Sequence, residues 1–473
     1  MKKIFLIILV LLLATVGLYA CKKPVDKDIP NTYIMNLELE ENLEGSLKLI
    51  MTNTYKENLS ELRFHLYPNS YSEGSPNKAY RDELLKYGEI NITKVSIGKD
   101  AVDFSVSQDK NFLIVPIKPL PLNETLEVVI DFIVIIPQCN LRLGEYNNTI
   151  NLGNFYPILA VFENDKWRDD VFHKVGDPFY SETANYIVTV KVPQKTELAA
   201  TGDIISNKLQ EGKRVYEIRA DKVRDFAMAA SQEFKIMTKM ANKITVYYYY
   251  INDDKPSDTL EAAVSALKTF SDAFGNYPYN SYRVVETAFA YGGMEYPMMS
   301  WVSSSQQDKE SVVIHETAHQ WWYGLVGTDS INESFIDEGL ATFCTLYYYQ
   351  LRGEEKKFKD GFKDIDLNYK NYIKLKELNS PDFVLRMDKP IYEYSSTDYN
   401  TIIYDKSALM FKTVYDVVGK KKFEKSLKYF YEDNCLGIAK REDLYKAFNR
   451  ACKTDVGKIF DSWIEGSVQM FAA

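Results

Sequence analysis

The sequence predicts an α+β protein of more than one domain. An antiparallel β-sandwich or comparably large sheet comes first, and a mixed part that ends in helices follows. Three observations carry this. Residues from about 30 to 235 hold many short β-rich runs separated by Pro, Gly, Asn and Asp. From about residue 306 onward, apolar residues recur at three- and four-residue steps. A chain of 473 residues is long enough for two or three hydrophobic cores.

Residues 1–20 have the layout of a signal peptide. Met1–Lys2–Lys3 is a short basic start, Ile4 to Gly17 is almost unbroken apolar sequence, and Leu18–Tyr19–Ala20 leads into Cys21. A Cys at that place resembles a bacterial lipobox, in which the Cys carries the lipid. The expectation is therefore a lipoprotein anchored to the membrane through Cys21, with its body outside the cytoplasmic membrane. The alternative is an uncleaved anchor, although the run is short for a full span. No other run approaches the length of a transmembrane helix.

Residues 21–240 form the expected β domain. Its clearest strands are Tyr33–Leu39, Leu47–Asn53, Phe112–Ile117, Leu126–Ile136, Tyr186–Val192 and Val215–Arg219. His65 lies in a strand-like run and reads as structural. His173 lies near Asp169 and Asp170, but no regular register brings the three together. Residues 241–473 form the second domain. Strands are expected at Ile244–Tyr250 and Tyr282–Ala288, with a helix from Asp258 to Phe274 between them. Further helices are expected at Gln307–Tyr323, Asn332–Leu351, Tyr404–Val418, Lys421–Tyr431, Arg441–Cys452 and Val456–Ile464.

Composition excludes several classes. A net charge of −9 leaves no electrostatic footprint for nucleic acid. Five cysteines rule out a disulfide scaffold, and no Cys-x-x-Cys pair is present for a thiolate zinc site. Cys435 and Cys452 would pair only if their helices fold back together; two separate buried thiols are the simpler expectation.

Histidine is rare, with four in the chain, and two of them fall in His315–Glu316–Thr317–Ala318–His319. This H-E-x-x-H pattern sits in a helical stretch. Histidines four residues apart share one helix face, so both imidazoles can reach one ion. Glu316 projects from the neighbouring side, beside the ion's open position, where a carboxylate serves as general base. A catalytic zinc needs a third protein ligand. Glu338, nineteen residues after His319 and on the next helix, supplies it in Phe335–Ile336–Asp337–Glu338–Gly339. Two His and one Glu with one position open suit hydrolysis, with one Zn2+ per chain.

These motifs resemble the M1 zinc aminopeptidases, the gluzincin family of aminopeptidase N and leukotriene A4 hydrolase. That family follows H-E-x-x-H with eighteen residues and then Glu in an N-E-G segment; here Asp337 stands for the Asn. Its G-x-M-E-N strand corresponds to Gly292–Gly293–Met294–Glu295–Tyr296, and its Y-x-K-G-A segment to Tyr404–Asp405–Lys406–Ser407–Ala408. The resemblance implies a saddle-like β domain followed by a thermolysin-like zincin domain. It implies that Glu295 binds the substrate's free α-amino group, with Gly292, Gly293 and Met294 along the peptide. It implies that Tyr404 donates to the oxyanion and that Tyr399 stands near the site. Typical members continue into a large helical C-terminal domain, so a short form without it is expected to have a more open cleft.

The expected activity is removal of N-terminal residues from peptides with a free N-terminus. Two alternatives are an endopeptidase using the same zinc and a surface binding lipoprotein without turnover. Glu295 argues against the first, and the full set of ligands and the base argues against the second.

Overall fold

The computed structural model describes residues 29–76, 78, 84–379, 383 and 385–466. The expected signal segment 1–20 and Cys21 lie outside the described residues.

The first part of the chain is built on an eight-stranded twisted sheet. Its central strands, Asn31–Leu39, Leu43–Thr52, Thr125–Ile135 and Ala184–Pro193, alternate buried and more exposed side chains, as a sheet with one covered face requires. Two four-stranded sheets lie against it, and a continuous core holds Leu47, Leu49, Phe64, Val128, Ile130 and Val190. The large sheet departs from the wholly antiparallel arrangement expected from sequence. Asn31–Leu39 runs parallel to Ala184–Pro193, with Thr32 opposite Asn185. A parallel pair needs a long crossover, and here the strands between residues 40 and 183 supply it.

The second part opens with a five-stranded mixed sheet in the order Lys235–Ala241, Ile244–Tyr250, Ser281–Thr287, Met299–Ser303 and Gly293–Met294. The helix α1, Pro256–Phe274, crosses between two of its parallel strands and buries Leu260, Val264, Leu267 and Phe270. The helices α2 (Lys309–Ala318), α3 (Ser334–Leu351), α4 (Glu355–Asn379), α5 (Ser407–Val418), α6 (Lys420–Asn434), α7 (Arg441–Cys452) and α8 (Gly457–Ile464) follow.

The zinc-motif helix ends at Ala318 rather than running to Tyr323. Trp321 and Trp322 turn inward into the core beside Phe274, and Gly324 follows Tyr323 in a tight return. Helix α4 was not expected from the sequence. It is rich in Lys, Asp and Glu, and its few buried residues are spread over seven turns, so the apolar stripe is weak. Cys452 is a buried free thiol, so it forms no bridge with Cys435. His65 is buried in a strand and stacks on Tyr67 at 4.9 Å, a structural role. His173 is occupied locally: its Nδ1 accepts from the Val175 amide at 3.2 Å.

Candidate active site

The site begins with the N-terminus of α2. The Asp308 side chain accepts from the Ser311 amide at 3.1 Å, which caps the helix and sets its register. His315 is in the last turn and His319 is the residue that closes it, its amide bonded to the His315 carbonyl. Helix α3 runs beside α2. Its first two turns, Ser334 to Ala341, are buried on every side, so Glu338 is a core carboxylate rather than a solvated one.

The two helices bring three ligand atoms together. His315 Nε2 and His319 Nε2 are 3.1 Å apart, and each is 3.3 Å from Glu338 Oε2. Four-coordinate zinc holds such atoms at 2.0–2.2 Å, which places them about 3.3–3.5 Å from one another. The triangle is close to that size. The other ring nitrogens show why the Nε2 atoms are free to bind. His319 Nδ1 donates to Asp337 Oδ1 at 2.8 Å. Thr345 spends its own hydroxyl hydrogen on the Ala341 carbonyl, so it accepts from His315 Nδ1 at 3.2 Å. Both rings are thereby fixed with an Nε2 lone pair aimed at the Glu338 oxygen. Three lone pairs at this distance repel one another unless a cation lies between them.

The electrostatics agree. Burial works against a charge on His319, yet Glu295, Asp337 and Glu338 outweigh it and hold the imidazole well above its ordinary range. Burial pushes Glu316 up to about 8, with Glu338, Asp177 and Asp337 adding to the effect. Burial also pushes Glu295 well above the usual carboxylate range. The cluster is short of positive charge, and a cation in the triangle offsets these shifts.

The remaining groups surround the triangle. Glu295 follows the edge strand Gly293–Met294, and its Oε1 is buried with no hydrogen-bond partner among the described residues. Carboxylate oxygens of Asp177, Glu295 and Glu338 lie within 4.8 Å of one another. A Cβ on Gly293 would stand 2.3 Å from Glu316 Oε1, so the bare backbone there makes room for the base. Tyr404 lies on a wide π-helical turn, Asn400–Lys406, that leads into α5. Its hydroxyl donates to Glu338 Oε1 at 2.6 Å, and its ring is nearly parallel to that of His315. Tyr399 is buried edge-on to Tyr404 at 5.9 Å. Gly176 has φ +71°, and a Cβ there would lie 2.8 Å from the Tyr399 hydroxyl, so glycine is required. Together these residues line a cleft of about 520 Å³ between the two parts of the chain.

Residues 258–463 match the model of the peptidase family M1 domain. The chain carries a peptidase family M1 domain. Among curated relatives, aminopeptidase M1-D of Oryza sativa subsp. japonica is 22% identical over 302 residues, covering 59% of this chain and 34% of the relative. Aminopeptidase M1 of Arabidopsis thaliana is 22% identical over 407 residues, covering 79% and 46%. The chain thus spans less than half the length of these relatives. The M1 zinc metallopeptidase from Deinococcus radiodurans shares the fold with a TM-score of 0.67 at 16% identity, over 94% of this chain and 96% of that one.

Within the M1 domain, every residue given a site role from sequence except Met294 lines the cleft. Met294 does not line it. Its side chain is buried with Tyr296 and Trp301, and its sulfur accepts from Arg142 Nε at 3.1 Å. Four residues were not legible in sequence: Arg142, Asp177, Asp337 as the partner of His319, and Thr345. Arg142 and Asp177 form a largely buried ion pair in irregular segments of the first part of the chain, where no periodicity or motif marks them. Asp337 was visible only as a departure from the family's Asn.

Proposed function

We propose that this chain is a zinc-dependent aminopeptidase that removes N-terminal residues from peptides outside the cytoplasmic membrane, anchored there through Cys21. The observation that carries the activity is the ligand triangle of His315, His319 and Glu338, with Glu316 and the unpaired Glu295 oxygen on its borders. The donor set of two imidazoles and one carboxylate fits zinc. Zinc, when bound there, supplies a Lewis acid that acidifies water and polarises a carbonyl.

The chain's own residues supply the rest. Glu295 and Asp177 accept hydrogen bonds from the α-ammonium of the substrate, which provides the positive charge that the buried Glu295 carboxylate lacks. This fixes one residue between that pair and the ligand triangle, and so sets the cut after the first residue. Glu316 takes a proton from the attacking water and returns it to the leaving amine. Tyr404 turns its hydroxyl from Glu338 toward the oxyanion that develops on the scissile carbonyl. An endopeptidase is disfavoured, because a chain continuing past Glu295 would leave that carboxylate buried against an uncharged amide.

The deciding experiment compares free and N-acetylated aminoacyl-aminocoumarin substrates with a soluble form starting after Cys21. Cleavage of the free forms alone is the expected result. Equal cleavage of acetylated forms would overturn the role of Glu295 and the exopeptidase reading. Anchoring is tested separately, by incorporation of labelled palmitate that is lost in Cys21→Ala.

A further inference from the structure

The cleft has two chemically different ends. At one end the carboxylates of Glu295 and Asp177 gather against His319 and Glu338. One set of ligand atoms, Glu295, His319 and Asp337, lies within 4.8 Å, and so does another, Asp177, Glu295 and Glu338. His315 belongs to neither set, so its side of the triangle is turned away from the ammonium site. The cleft continues past His315. There it is lined by Ser311 and Val312, one turn earlier on α2, by Leu346 of α3, by Ile365 of α4 and by Asp405.

Asp405 is the charged residue of that end. The basic residues that line the cleft are Arg142 and Lys174; both come from the first part of the chain, and Arg142 is already paired with Asp177. Among the described residues the Asp405 side chain forms no hydrogen bond or ion pair. Its neighbour Lys406 turns the other way, donating to the carbonyls of Leu385 and Trp463 in the core. Asp405 is half-buried, and burial alone pushes its carboxyl up to about 7. An acid held in a cleft wall without a partner is stabilised by a cation brought from outside.

With the substrate N-terminus held by Glu295, the residue to be removed occupies the first end. The residue after the scissile bond then passes His315 toward Asp405. We propose that Asp405 selects lysine or arginine as the residue that follows the scissile bond. This rests on the aminopeptidase reading. A side-chain ammonium or guanidinium there forms a charge-assisted hydrogen bond, while a glutamate meets a like charge.

The test uses the zinc-loaded enzyme and three peptides, Ala-Lys-Gly-amide, Ala-Ala-Gly-amide and Ala-Glu-Gly-amide, whose amidated ends carry no carboxylate. The expected order of kcat/KM is Lys, then Ala, then Glu, with about tenfold or more between Lys and Glu. In Asp405→Asn that ratio falls below about threefold, and Asp405→Glu keeps it. Equal rates on all three peptides overturn the assignment and leave the aminopeptidase reading standing. A preference that persists in Asp405→Asn also overturns it. No turnover of any peptide with zinc bound overturns the aminopeptidase reading, and the assignment falls with it.

Discussion

Asp337 offers the sharpest test of how this site holds its metal. It accepts from His319 Nδ1 at 2.8 Å, and its other oxygen accepts from Ser330 Oγ at 3.1 Å, both in the core. The carboxylate therefore fixes the tautomer and the direction of one ligand ring. Asp337→Asn keeps an acceptor of the same shape but removes its charge. Hydrogen bonds to charged groups contribute about 1.5–3 kcal/mol and neutral ones about 0.5–1.5 kcal/mol, so the change costs roughly 1–1.5 kcal/mol. That corresponds to about tenfold weaker zinc binding. Asp337→Ala removes the acceptor entirely. The Trp322 carbonyl, 3.1 Å from the same nitrogen, remains as a substitute and limits the damage. The loss should then lie near the upper part of the range of about 10–100-fold typical for partners of ligand histidines. Competition with a chromogenic chelator measures zinc affinity directly, and thermal melting of the zinc-free variants checks that they fold. An Asp337→Ala protein that binds zinc as tightly as the unmodified chain would refute the reasoning. His319 would then be held by helix geometry and Trp322 alone.

Three further outcomes are expected. Glu316→Gln removes the base at constant shape, so kcat should fall by about 10²–10⁴ while one equivalent of zinc is retained; loss of the metal as well would make Glu316 a ligand rather than a base. Tyr404→Phe should lower kcat by about 10²–10³ with little change in KM, and a rise in KM at constant kcat would instead assign the hydroxyl to substrate binding. His65 is buried neutral, and burial lowers its pKa from 6.5 to about 3. The unfolded chain takes up the proton first, so this contribution to stability is complete above pH 6.5 and is lost as pH falls toward 3. His65→Phe should flatten the acid limb of the stability curve by up to about 1.4 kcal/mol per pH unit, as read from urea titrations at several pH values. Parallel curves for the two proteins would show that His65 titrates no differently in the folded state.

Much of the catalytic constellation was legible along the chain because its parts are local. His315, Glu316 and His319 lie within five residues, so helix geometry alone places them on one turn. Glu338 could be added because a short connection returns the chain as a neighbouring helix, and Glu295 and Tyr404 because family motifs mark them. Regular periodicity gave α1, α3 and α7 nearly to the residue. Other features were less readable for physical reasons. Helix α4 buries few side chains and carries a weak stripe. The zinc-motif helix was expected to end five residues later than it does, because Trp321 and Trp322 fit a helical pattern yet turn into the core. The parallel pairing of Asn31–Leu39 with Ala184–Pro193 joins residues more than 140 positions apart, and strand alternation looks the same in either direction.

The sequence by itself determined the ligands and the base, since each is fixed by spacing on a helix or by a motif of a few residues. It also determined that the first half is made of strands and the second ends in helices, because periodicity is a local property. Only the tertiary structure decided what surrounds the ligand triangle. Arg142 and Asp177 reach it from irregular segments of the first part of the chain, Asp337 and Thr345 hold the two imidazoles, and Asp405 stands at the far end with no side-chain partner among the described residues. These relations depend on how separate elements meet in space. A low-dielectric cleft gives them their chemical weight, since the same carboxylates in water would each be solvated and independent.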